Sequence, residues 1–90
     1  MANHKSALKR DRQSKVRRLR NRMNKSRMKT AVHRVEEAVA AGSGEEAREA
    51  LRRAAVVIQK TASKGTIHKK TASRKVSRLA RKVNRMQAEA

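Results

Sequence analysis

Every glycine in the chain (Gly42, Gly44 and Gly65) stands between stretches whose apolar residues recur at helical spacing, and no proline interrupts those stretches. Apolar residues at steps of three and four mark one face of a helix, and glycine ends such helices because it alone enters the left-handed region at no steric cost. In the first stretch Met28, Val32, Val35 and Val39 step 4, 3 and 4, with Ala31 and Ala38 beside them. Upstream, Val16, Leu19 and Met23, and then Leu8, read as a thinner continuation of that stripe, with Met23 among the core fillers together with Met28 and Met86. The second stretch offers Ala47, Ala50, Leu51, Ala54, Val57, Ile58 and Ala62. The third runs through Ala72, Val76, Leu79, Val83, Met86 and Ala90 in steps of 4, 3, 4, 3 and 4, an unbroken heptad.

The connections are short and carry capping signals. Gly42 suits a left-handed C-terminal cap, and Ser43-Gly44-Glu45-Glu46 reads as a capping box with Ser43 as N-cap and Glu46 at the third helical position. Glu45, Glu46 and Glu49 lie near the positive end of the second helix, Lys60 and Lys64 near its negative end. Gly65 closes that helix, and Thr66 is positioned to cap the third. Links this short force successive helices to run antiparallel. The expected fold is all-α, an antiparallel three-helix bundle with a long, projecting basic N-terminal helix. A first helix from about residue 6 to 41 would be roughly 54 Å long, whereas the other two, near 20 residues each, reach only about 30 Å. One domain over 1–90 is expected, with 1–24 as a projecting arm and 25–90 as the bundle.

Charge divides the chain differently. Residues 1–34 hold 13 Lys and Arg against Asp11, residues 35–59 hold three Arg against five Glu, and residues 60–90 hold ten cations against Glu89. Two strongly positive segments thus flank a near-neutral middle, within a net charge of +19. Arms of this kind address polyanions. Seven like-charged pairs at helical neighbour spacing, from Lys5/Lys9 to Lys25/Lys29, each cost a few tenths of a kcal/mol. With no core to offset that cost, residues before about 24 are expected to be poorly ordered in the free protein and helical on a polyanion.

What is missing narrows the function. The chain has no Phe, Tyr or Trp, so base stacking on aromatics, the device of RNA-recognition and oligonucleotide-binding domains, is closed to it. It has no Cys, hence no disulfide, thiolate nucleophile or Cys-based metal site. His4, His33 and His68 are far apart in sequence and no carboxylate pattern completes a metal site; they read as surface or phosphate-facing groups. Glu36 and Glu37 read as surface groups. No Gly-rich phosphate loop occurs, and a thin bundle gives no water-excluding pocket, so no enzyme, no cofactor and no small-molecule substrate is expected. The start carries no apolar signal core, and the longest apolar run, Ala54 to Ile58, is five residues. A membrane span needs about 20. A soluble chain that is neither exported nor membrane-bound is expected.

The cations of the first segment point all around a helix, which suits insertion between phosphate backbones better than lying on a flat surface. Candidate nucleic-acid contacts are Lys5, Ser6, Lys9, Arg10, Lys15, Arg17, Arg18, Arg20, Asn21, Arg22, Lys25, Ser26, Arg27, Lys29 and Thr30. Asn24 stands among the same short polar donors. Arg supplies a planar fork to phosphate, and Asn, Ser and Thr reach phosphate and 2′-hydroxyl oxygens. The third segment adds Lys64, His68, Lys69, Lys70, Arg74, Lys75 and Arg78. Displaced counterions drive such binding, but phosphate attraction alone does not separate RNA from DNA. A histone-like, nucleoid DNA-binding protein is the alternative reading, although the β-arms and intercalating wedges common in such proteins are not visible.

Three segments carry a family resemblance. They are Met1-Ala2-Asn3-His4-Lys5-Ser6-Ala7-Leu8-Lys9-Arg10; Arg18 to Arg22 with Lys25 to Thr30; and Lys64-Gly65-Thr66-Ile67-His68-Lys69-Lys70-Thr71-Ala72-Ser73-Arg74-Lys75-Val76-Ser77-Arg78-Leu79. In length and order the whole chain resembles the bacterial small-subunit ribosomal protein S20 family, and the third segment is the most specific match. The resemblance implies three helices, the first reaching into the body of the small subunit, and a structural protein that binds 16S ribosomal RNA early in assembly. It implies contact with the 5′ domain and the base of the long penultimate stem, other small-subunit components as neighbours, and the cytoplasmic ribosome as location. Matching positions in the three segments would inherit RNA contacts. Lys70 stands where Asn is common and Ser73 where Ala is common, while Val76 replaces a frequent Lys and deepens the apolar stripe.

Overall fold

The computed structural model describes residues 2–89, and the side chains of residues 5–88. It contains three helices, α1 (Ala2–Ala40), α2 (Gly44–Ser63) and α3 (Lys69–Glu89), and among the described residues no strand. α2 packs along both of the others, whereas α1 and α3 meet little. The radius of gyration is 18.0 Å and the longest dimension 69 Å. A compact domain of this length would have a radius of gyration of roughly 12 Å. Ala90, the last expected core position of the third helix, lies outside the described residues, as do the side chains of Asn3 and His4.

α1 is helical from Ala2, not from about residue 6, and it continues unbroken through the segment expected to lose order. Residues 5–23 contain neither Gly nor Pro and are dominated by Arg, Lys, Leu, Met and Gln. These are strong helix formers, and their propensity opposes the like-charge penalty. Asp11 and Lys15, 3.2 Å apart one turn from each other, add an attractive pair to that run.

Both helix ends expected at glycine occur there. The Gly42 N–H donates to the Val39 carbonyl (3.1 Å) and the Ser43 N–H to the Ala38 carbonyl (3.3 Å), with Gly42 at φ +75°. Gly65, at φ +78°, repeats the pattern: its N–H donates to Ala62 and that of Thr66 to Thr61. Each is a Schellman closure, in which two otherwise orphaned carbonyls are satisfied. The helix starts depart from expectation. Ser43 is the N-cap of α2 and its carbonyl accepts from the Ala47 N–H at 2.9 Å, but its side chain makes no capping bond, so the capping box with Glu46 is not formed. Thr66 does not cap α3. That place is taken by His68, whose carbonyl accepts from Ala72 and whose Nδ1 accepts from the Lys70 N–H at 3.1 Å.

The core is small because its residues are small. Ile58, Val35 and Val83, one from each helix, are its largest fully buried side chains, and Met28, Ala38, Ala47, Ala54, Ala72 and Leu79 complete the buried set. Val32, Leu51, Val57, Ile67, Val76 and Met86 pack against its margins. At the other end of the seam the filling is polar. Asn24 is buried; its Nδ2 donates to Thr66 Oγ1, which in turn donates to Asn21 Oδ1, each at 3.3 Å. The next positions of α1 on that face are Arg17, Ser14 and Arg10, which offer nothing apolar to bury, and the bundle ends there.

The upstream stripe therefore does not continue the core. Leu8, Val16, Leu19 and Met23 are about half exposed, and Met23 is not a core filler. Five residues separate Met23 from Met28, which at 3.6 residues per turn turns the apolar face by about 140°. Asn24, one residue further on, occupies the inward direction that Met23 was expected to take.

Candidate nucleic-acid interface

Two elements present the cations. On α1, Lys5, Lys9, Arg10, Lys15, Arg17, Arg18, Arg20, Arg22, Lys25, Arg27 and Lys29 are all exposed, together with Ser6, Ser26 and Thr30. Those before Asn24 stay in water because no other element covers that part of the helix, and those after it because they lie off the face that α1 turns to the bundle. Thr30 directs its hydroxyl proton to the Ser26 carbonyl (3.0 Å), leaving oxygen lone pairs outward. Around the α2–α3 turn and along α3, Lys64, His68, Lys69, Lys70, Arg74 and Arg78 are exposed and Lys75 is half-buried. Ser73 is turned to the Lys69 carbonyl at 3.1 Å.

The Asn21–Thr66–Asn24 chain joins the two sets. By tying Thr66 to the middle of α1, it docks the α2–α3 turn, which carries Lys64 and leads into His68, Lys69 and Lys70, on the stretch of α1 that also carries Arg18 and Lys25. One end of the bundle thus carries cations from both elements. The first turn of α3 contains no acid, so its dipole adds to the positive field, whereas α2 opens with Glu45 and Glu46. A shallow groove along α1 is lined by Arg18, Asn21, Arg22, Lys25, Ser26 and Lys29, cations and short polar groups alone. Arg78 and Lys75 lie further along, in a groove between α1 and α3 that they share with Glu36 and Lys82. The segment from Lys64 to Lys70 thus sits on the middle of α1, whereas Arg78 lies further along, beside Glu36.

Two of the amides serve the fold. Asn24 faces inward and is withdrawn from any ligand, and Asn21 is half-buried with its Oδ1 engaged by Thr66, which leaves its amide nitrogen for an outside acceptor. The acids lie mostly at the far end, and three of them have a basic residue within reach. His33 Nε2 meets Glu37 at 2.8 Å, Arg53 meets Glu49 at 2.7 Å and Lys82 meets Glu36 at 3.4 Å. Among the described residues, no group of His, Asp and Glu could hold a metal ion, and no helix is long and apolar enough to cross a membrane.

A small all-α bundle with one end crowded by cations and grooves open to solvent is a scaffold for holding a polyanion. Residues 2–84 match the family model of ribosomal protein S20. The small ribosomal subunit protein bS20 of Syntrophobacter fumaroxidans is 60% identical over 84 residues, covering 93% of this chain and 98% of its own. That of Desulfotalea psychrophila is 57% identical over 88 residues, covering 98% and 99%, and that of Desulfovibrio desulfuricans 51% over 89 residues, covering 99% and 100%. The chain belongs to the ribosomal protein S20 family. It is accordingly a structural protein of the small ribosomal subunit, placed in the cytoplasmic ribosome, and not an enzyme.

Proposed function

We propose that the protein binds 16S ribosomal RNA directly, through phosphate and sugar contacts, and stabilises the folded RNA during assembly of the small subunit. The observation that carries this reading is the docking of the α2–α3 turn, with Lys64 to Lys70, on the cation-rich middle of α1 at the end of the bundle from which α1 extends. Residues 1–24 act as the arm that enters the RNA, and residues 25–90 as the bundle that fixes its direction. The candidate cations and hydroxyls of α1 and of the α3 start make the contacts, with Arg74, Lys75 and Arg78 extending them along α3. Following the family resemblance, we assign the 5′ domain and the base of the long penultimate stem as the regions bound, with neighbouring small-subunit components completing the environment.

Neutralising about 6–10 phosphates gives a steep fall of affinity with salt. The Arg18→Glu, Arg22→Glu double variant is expected to weaken binding to a 16S transcript and to flatten its salt dependence, while circular dichroism shows the helices kept. Unchanged binding would overturn the assignment of these residues. Crosslinking in cell lysate is expected to recover small-subunit RNA, and recovery dominated by genomic DNA would overturn the RNA reading itself.

A further inference from the structure

Leu8, Val16, Leu19 and Met23 are 53%, 51%, 60% and 49% exposed. Their spacing of 8, 3 and 4 keeps them on one face of α1, with Arg12 between Leu8 and Val16. That face points about 140° away from the core seam, so the bundle has no element to cover it. Across the helix surface the stripe is bordered by Lys15 and Arg22 on one side and by Lys9, Arg20 and Arg27 on the other. Both rows of cations are exposed. The only acid in this part of the chain, Asp11, is paired with Lys15.

We infer that this stripe is a contact surface for the ribose faces of a minor groove in double-helical RNA. The inference rests on the RNA-binding reading and specifies which face of α1 meets the nucleic acid and how. An RNA minor groove is wide and shallow, displays base edges at its floor with sugars and 2′-hydroxyls along both sides, and is rimmed by phosphates on two strands. A helix about 10–12 Å across, with a narrow apolar band between two rows of cations, matches that cross-section: the rows reach the two phosphate rims and the aliphatic side chains meet the sugars between them. The absence of aromatics agrees, since contact with riboses requires no stacking. Charge selects this occupant over the alternatives. A second copy of this chain would set one net-positive segment against another, and a protein groove would need acids matching cations on both borders of the stripe.

The test uses the full chain carrying Val16→Ala, Leu19→Ala and Met23→Ala together. Alanine keeps helix propensity, and the three positions are outside the core, so thermal unfolding is expected to be unchanged. Affinity for a full-length 16S transcript is expected to fall by about tenfold or more from lost apolar contact. The salt slope, which counts phosphates, stays as in the parent. Hydroxyl-radical cleavage, which attacks ribose hydrogens open in the minor groove, is expected to reappear at riboses the parent protects. A Lys9→Gln, Arg20→Gln variant, by contrast, is expected to lower the slope. Unchanged affinity and ribose protection in the alanine variant overturn the inference, as does unchanged RNA binding accompanied by loss of a neighbouring protein from reconstituted subunits, which would make the stripe a protein contact. Failure of the parent chain to bind the transcript would overturn the RNA-binding reading instead.

Discussion

From Asn24 to Val39, α1 turns a continuous face toward α2 and α3, and Met28, Val35 and Ala38 are withdrawn from water. From Lys5 to Met23 the same helix has only Ser14 and Asn21 even partly covered, and its four larger apolar residues are about half exposed. The backbone hydrogen bonding is the same in both halves. What differs is what a break in it would cost, because in the bundle half opening a turn also exposes core, whereas in the first half it exposes only side chains that are already wet. Helical geometry and helical stability are thus separate properties here, the first set by local propensity and the second by tertiary packing.

Amide hydrogen exchange on the free protein is the measurement most sensitive to that difference. Amides of Val35, Ile58 and Val83 are expected to exchange only through global unfolding, and those of residues 8–20 through local fraying. The protection factors should differ by about a thousandfold or more, given a stability of the usual size for a domain of this length. Equal protection in the two halves would show that the first half is held by something other than packing. Adding 16S RNA should slow exchange in residues 8–20 and leave the bundle nearly as it was.

Truncation of side chains probes the same contrast in equilibrium stability. Ile58 is fully buried where the three helices meet, and Ile58→Ala should cost about 3–4 kcal/mol in urea unfolding, a large part of what a small domain has. Leu19→Ala removes a residue of similar size that is 60% exposed and should move stability by less than about 0.5 kcal/mol. A comparable loss at both sites would mean that the first half of α1 packs in solution. The border between the halves is tested at Asn24. Asn24→Ala removes the donor to Thr66 and leaves a small gap at the end of the seam, with an expected cost of about 1–2 kcal/mol. That loss should be accompanied by faster exchange at Thr66 and Ile67, since the α2–α3 turn is tied to α1 through this amide.

Much of this was legible from residue spacing. The steps from Met28 to Val39 and from Ala72 to Met86 describe packed faces, and Gly42 and Gly65 mark helix ends because each occupies a positive φ. The upstream half misled because Leu8, Val16, Leu19 and Met23 are apolar and helically spaced, and the pattern alone does not say that a face has a partner. The step of five from Met23 to Met28 was the available signal, since neither three nor four residues maintain a stripe across it. Asn24 and Thr66 were read as an RNA donor and a helix cap for a related reason. Each has the composition for that role, and only the meeting of α1 with the α2–α3 turn, 42 residues apart in sequence, reveals that they satisfy one another. The docking of Lys64 to Lys70 on the middle of α1 has the same origin. The charge count found both clusters but not this docking, which is a property of the turn.

The smallest expected effect separates cations that serve the bundle from cations that serve the ligand. Lys82 Nζ lies 3.4 Å from Glu36 Oε1 and links α3 to α1, but its side chain is 54% exposed and that of Glu36 48%. Both groups remain hydrated, so little desolvation accompanies the pairing, and holding two long side chains together costs entropy. Removing Lys82 also lowers a net charge of +19, which relieves repulsion across the whole chain. Lys82→Ala should therefore change stability by less than about 0.5 kcal/mol, with the residual loss vanishing at high salt. Lys15→Ala, which breaks the exposed pair with Asp11, should be equally silent in unfolding. The two are expected to part when 16S RNA is present: Lys15→Ala lowers the salt slope by about one phosphate, and Lys82→Ala, beyond the proposed contacts that end at Arg78, leaves it where it was. A drop in slope for Lys82 equal to that for Lys15 would extend the RNA surface to the far end of the bundle and erase the division of labour between the two halves of the molecule.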